Sequence, residues 1–106
     1  MLACVCLNPS FDRTVSLRSF TAGDVNRVLS ARQDVGGKGI NVAITARRLG
    51  IASCVLGCAG KNGIDAVRRK LDGEQVTHVF LPVDGDVRTN MKIVPQDGTA
   101  VTELNE

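Results

Sequence analysis

Tryptophan and tyrosine are absent from this 106-residue chain, which has only three phenylalanines and one histidine. Without aromatic rings to stack on, binding of single-stranded nucleic acid is disfavoured. An excess of one charge sign is also missing. The 13 Lys and Arg residues stand against 11 Asp and Glu, and the net +2 is scattered along the chain. No basic stripe for DNA or a membrane surface results. No apolar run approaches the roughly 20 residues of a membrane span. The opening MLACVCLNP has no basic residue ahead of its apolar run, unlike a secretory signal. These absences predict a cytoplasmic protein with no nucleic-acid and no membrane partner. A hydrophobic share of 43% with 23% charged residues then fits an ordinary globular fold, either one small domain or part of a larger one.

Four cysteines are present, in two close pairs, Cys4/Cys6 and Cys54/Cys58. Their spacing matches no standard zinc site. Both pairs sit in apolar runs, LACVCL and ASCVLGCA, where free cysteine packs as a small hydrophobe. Core packing is the expectation, with no metal and no disulfide framework.

Apolar residues 2 to 7, broken by Asn8-Pro9, predict a strand covered on both faces, as in a parallel sheet. Residues 13 to 20 and 27 to 35 alternate loosely around a turn at Ala22-Gly23-Asp24 and read as exposed strands. A helix is predicted from Lys38 to Leu49, with Ile40, Ala43, Ile44 and Ala46 as its apolar stripe and Gly50 as its cap. A buried strand at 53 to 59 follows. A second helix carries Ile64, Val67 and Leu71, with Asn62 as N-cap and an end near Asp72-Gly73. A third strand spans 76 to 81. Strand, helix, strand, helix, strand implies an α/β fold with a parallel βαβαβ sheet. Three strands and two helices leave sheet faces uncovered, so a longer polypeptide or a partner is expected to complete the sheet.

The last twenty residues read as a hairpin turning at Asp97-Gly98. That register sets Met91 against Leu104, Lys92 against Glu103 and Asn90 against Asn105. One face then carries Arg88, Asn90, Lys92, Glu103 and Asn105. The other carries Met91, Ile93 and Leu104. His78 has no identifiable partner and reads as a surface or strand-end residue.

Residues 36 to 43, GGKGINVA, hold three glycines and a lysine at the start of the first helix. Glycines let backbone N–H groups approach an anion, and a helix N-terminus adds positive potential. The stretch is not a Walker A loop, because Gly39 rather than Ser or Thr follows Lys38. GxGxxG fails as well, with Val42 where its last glycine belongs. Local chemistry leaves two readings open, an anion or polyol site and a plain structural turn.

Spacing adds to this. GGKGINVA, then six residues to Gly50 and nine more to Gly60, resembles the N-terminal signature of the PfkB (ribokinase-like) carbohydrate kinases. NPSFD (8 to 12), VRTN (87 to 90) and TELNE (102 to 106) stand around it. The set looks most like the 1-phosphofructokinase and tagatose-6-phosphate kinase branch. It runs the length of the chain and covers about the first third of a typical member.

The resemblance implies a substrate-binding portion of a ribokinase-like fold with a protruding β lid, in segments of about 13–35 and 86–105. It implies that Asp12 grips sugar hydroxyls, and that Gly36, Gly37 and Asn41 line the sugar site. Lys38 and Arg88 lie near the substrate's phosphate, and Asn90 is carried over from the same RTN motif as a substrate-binding residue. Arg27 corresponds to a region that reaches a neighbouring subunit's phosphate site. A homodimer through the lid strands is implied. The activity implied for a complete enzyme is phosphorylation of fructose 1-phosphate to fructose 1,6-bisphosphate with ATP and Mg2+. The family's catalytic aspartate and ATP site belong to a later GAGD-containing region. No catalytic residue is therefore assigned in this chain, which alone is predicted inactive. The alternative is a non-catalytic module that binds a sugar phosphate or dimerises.

The residues themselves suit these roles. A carboxylate and an asparagine satisfy vicinal hydroxyls. Arginine offers a fork to phosphate oxygens and lysine a point charge.

Overall fold

The computed structural model describes residues 1–106 and divides into two compact units. Unit 1 comprises Met1–Ser10 and Val35–Arg88. Unit 2 comprises Phe11–Asp34 and Thr89–Glu106. In chain order the elements are β1 (Leu2–Cys6), β2 (Ser10–Leu17), β3 (Val28–Gly36), α1 (Lys38–Arg48), β4 (Ser53–Asn62), α2 (Ile64–Gly73), β5 (Thr77–Asp86), β6 (Arg88–Pro95) and β7 (Thr102–Leu104).

Unit 1 is built on the expected parallel sheet, ordered β1-β4-β5, with Cys4 beside Val55 and Cys6 beside Gly57. Helix α1 packs on β1 and β4, and α2 on β4 and β5. Strand alternation sends Cys4, Cys6, Val55, Ala59 and Phe80 into the buried face. They meet Ile40, Ala43, Ile44, Val67 and Leu71 from the helices, all of them buried. Cys4 and Cys6 thus pack as core residues. Burial pushes the Cys6 thiol up, against backbone hydrogen bonds that pull it down.

The expectation that β1 is covered on both faces is corrected. Val5, Leu56 and Val79 stand side by side in register on the opposite face, and all three are exposed. Leu81 and Val83 extend that apolar face. The two helices that connect the three parallel strands lie on one side of the sheet, and the sequence alone sees only that all residues of the strand are apolar.

Both helices end in the same way. After α1, Gly50 N–H donates to Arg47 O and Ile51 N–H to Ala46 O, with Gly50 at φ 87°. After α2, Gln75 N–H donates to Asp72 O and Val76 N–H to Leu71 O, with Gln75 at φ 58°. This is the Schellman pattern, which favours glycine at the left-handed position. Helix α2 ends at Gly73, as the sequence suggested, and its left-handed residue follows two positions later at Gln75. Arg47 Nε donates to Gln75 O at 3.3 Å and holds the strained residue. Gln75→Gly is expected to stabilise by about 0.5–1 kcal/mol, since the β-carbon penalty there exceeds glycine's chain-entropy cost. Thermal unfolding followed by circular dichroism checks this, with a midpoint raised by roughly 3–6 °C.

The N-cap of α2 is a second correction. Gly63, at φ 113°, occupies that position with no side-chain cap bond. Asn62 instead donates from Nδ2 to Asp86 Oδ1 at 2.7 Å. His78 lies at the start of β5, half-buried, and does have a partner, Asp72 Oδ1 at 2.7 Å.

Unit 2 contains most of a four-stranded sheet ordered β3-β2-β6-β7. The hairpin register is the expected one, with Met91 against Leu104, Lys92 against Glu103 and Ile93 against Thr102. Asp97 accepts from Thr99 N–H and Oγ1–H, which holds its carboxyl below the usual range. Val15, Leu17 and Ile93 form a buried cluster with Met91 against it. No helix is long and apolar enough to cross a membrane.

Candidate functional site

In unit 1 the glycine stretch first serves close packing. A β-carbon on Gly39 would lie 2.5 Å from Val5 O, and one on Gly37 would lie 2.9 Å from Cys6 Sγ. Gly36, the last residue of β3, is buried. Gly37 precedes α1 at φ 133° without a side-chain cap, and the first turn carries no acid. The N-terminal amides of α1 therefore keep their positive potential. Lys38 stands there exposed, an available cation. Asn41 is exposed too, and lies with Val42, Thr45 and Leu49 along a groove on the outside of α1.

Arg88 begins β6 and is half-buried. Its Nη2 donates to Asn8 O at 3.4 Å. A β-carbon on Gly37 would lie 3.4 Å from Pro9 Cα. Asn8-Pro9, Gly37 and Arg88 are thus gathered at one place in unit 1.

In unit 2, Asp12 and Asn90 are brought together. Asn90 Nδ2 donates to Asp12 Oδ1 at 3.4 Å, across 78 residues of sequence. The Asn90 amide is oriented from behind, because Glu106 N–H donates to its Oδ1 at 3.1 Å. TELNE therefore supports Asn90, a role its polar composition gave no sign of. Both residues line a cleft of about 340 Å³ with Thr14, Arg32, Asp34, Lys92, Glu103 and Asn105. Seven of these eight recur at alternate strand positions, Asn105 follows the end of β7, and together they form one polar face. Arg13 and Met91 also reach the cleft.

The cleft's charges balance. Arg32 pairs with Asp34 at 3.2 Å and Lys92 with Glu103 at 3.6 Å. A neutral field with many donors and acceptors suits a polyol better than a bare anion. Sequence reasoning placed Lys92, Glu103 and Asn105 on this face but missed Thr14, Arg32 and Asp34. Their signal was the two-residue step from Asp12, and nearly all of β3 is exposed, so no hydrophobic period marked its faces.

Arg27 is placed elsewhere in unit 2, in a second cleft with Arg18, Asp24 and Leu29. Asn26 organises the adjoining loop through bonds to Thr21 and Asp24.

A sequence model described as pfkB family carbohydrate kinase matches residues 6–106. The chain belongs to the pfkB family. Within it, the chain is 38% identical over 104 residues to a 1-phosphofructokinase of Rhodobacter capsulatus, covering 98% of this chain and 33% of that protein. The phosphofructokinase-2 of Escherichia coli in complex with fructose-6-phosphate superposes with a TM-score of 0.88 at 20% identity, over 99% of this chain and 35% of that one. The nucleoside kinase of Methanocaldococcus jannaschii, of the ribokinase family, gives a TM-score of 0.73 at 19% identity, over 97% and 36%. The fold is thus ribokinase-like, and the pfkB chain spans about a third of the length of the curated relatives it matches.

Members of a kinase family use ATP and a metal ion. This pfkB chain gathers no group of three or more His, Cys, Asp or Glu side chains suited to an ion.

Proposed function

We propose that this chain is the sugar-phosphate-binding and lid part of a kinase that converts fructose 1-phosphate to fructose 1,6-bisphosphate with MgATP. Alone it is inactive as a kinase. The observation that carries the reading is the meeting of Asp12 and Asn90 in a charge-balanced cleft. The Asp12 carboxylate accepts hydrogen bonds from sugar hydroxyls, and Asn90, held by Glu106, keeps that carboxylate oriented. Gly36, Gly37 and Asn41 border the sugar. Lys38, the uncapped amides of α1 and Arg88 hold the phosphate that the substrate already carries.

The reading extends to the assembly. The bounds of unit 2 lie close to the lid segments expected from the sequence. In this proposal that sheet serves as the lid that excludes water. It also pairs two copies, with Arg27 reaching the neighbour's phosphate. The protein acts in the cytoplasm.

Asp12→Ala tests the sugar half. Fructose 1-phosphate affinity is expected to fall by about 10-fold or more, as charged hydrogen bonds are lost. Inhibition of that binding by inorganic phosphate is expected to persist. Unchanged affinity for the sugar phosphate would remove Asp12 from the site.

A further inference from the structure

The end of β5 carries a one-residue irregularity whose consequence falls on Arg88. Gly60 pairs with Val83, but Asn62 pairs with Asp86, so two steps along β4 match three along β5. The extra residue lies at Asp84-Gly85, with Gly85 at φ 108°. A bulge of this kind inverts the faces of everything that follows it. Before it, Phe80 is buried, and Leu81, Pro82 and Val83 are all exposed. After it Val87, the residue directly before Arg88, is buried, 6% exposed. Since β5 ends at Asp86 and β6 begins at Arg88, the bulge sets where the chain enters β6.

Three contacts lock the bulge. Lys61 Nζ pairs with Asp84 Oδ1 at 2.7 Å. Asn62 holds the strand from both sides, its Nδ2 donating to Asp86 Oδ1 at 2.7 Å and its carbonyl accepting from Val87 N–H at 3.0 Å. Gly60 leaves room for the close approach, since a β-carbon there would lie 2.5 Å from Asp86 C. None of these residues touches a substrate in the reading above.

We infer that Asn62, with the Asp84-Gly85 bulge, is a positioning residue that aims Arg88 at the substrate phosphate. The inference rests on the proposed role of Arg88. The test is calorimetric binding of fructose 1-phosphate and of fructose to the protein. Asn62→Asp sets two carboxylates against each other and is expected to weaken fructose 1-phosphate binding about 5-fold or more, leaving fructose binding alone. The exchanged pair Asn62→Asp/Asp86→Asn restores the hydrogen bond and is expected to recover affinity to within about 2-fold. A merely structural role would move both ligands together. Should Asn62→Asp fail to fold, Gly85→Ala carries the same test, because its β-carbon meets nothing within 4 Å and acts only through φ.

The two possible failures separate. If Arg88→Ala weakens fructose 1-phosphate binding while a folded Asn62→Asp or Gly85→Ala does not, the positioning role is overturned and the phosphate site stands. If Arg88→Ala itself binds normally, the phosphate-site reading falls and this inference falls with it.

Discussion

Gly57→Ala is expected to leave the chain without a cooperative folded state. Gly57 pairs with Cys6 between β1 and the central strand β4. A β-carbon there would lie 1.9 Å from Cys6 O and 3.0 Å from Phe80 Cε1. The first neighbour is backbone, so relief requires β1 and β4 to separate. Separation would unseat Cys6 and Val55, which lie at the centre of the core of unit 1. Overpacking a core costs about 1–3 kcal/mol when side chains can give way, and more when they cannot. Total stability for a domain of this size is only about 5–15 kcal/mol. Gly73→Ala is the control, since its β-carbon meets nothing within 4 Å at the end of α2. It is expected to be neutral or slightly stabilising. Far-ultraviolet circular dichroism with thermal unfolding distinguishes them. A cooperative transition for Gly57→Ala near the wild-type midpoint would contradict the packing described.

Much of this was legible because local signals and tertiary demands agree. Helix α1 follows from its apolar stripe and Gly50. The β6–β7 register follows from Asp97-Gly98 with Lys92 opposite Glu103. Where the two diverge, the sequence misleads. Asn62 reads as a cap because it precedes a helix, yet Asp86, 24 residues on, claims its amide. Gln75 takes a glycine's conformation because Arg47, 28 residues away, holds its carbonyl. The bulge is invisible because Val83-Asp84-Gly85 reads as an ordinary turn.

The site divides in the same manner. Its motifs NPSFD, GGKGIN and VRTN were readable as types of chemistry. The Asp12–Asn90 contact was not, since only the placing of β2 between β3 and β6 creates it. Asn41 and Lys38, both exposed at the start of α1, owe their places to Gly39, which lets that helix rest on β1.

The phosphate half of the account makes the second large prediction. Lys38 adds a full charge to an uncapped helix N-terminus. Arg88 is half-buried and already holds Asn8 O with one amino group. Each is expected to give a charge-assisted hydrogen bond to the phosphate, worth about 1.5–3 kcal/mol. Arg88→Ala and Lys38→Ala should therefore each weaken fructose 1-phosphate binding by about 10- to 150-fold. Arg88→Lys keeps the charge but loses the fork and is expected to fall between. Fructose, which lacks the phosphate, should bind all the variants alike.

Calorimetric titration of fructose 1-phosphate into the wild type, Arg88→Ala and Lys38→Ala puts the sugar-phosphate site to its most direct test. The account predicts a large affinity loss in both variants, with fructose binding unchanged. Wild-type affinity for fructose 1-phosphate in both variants would contradict it.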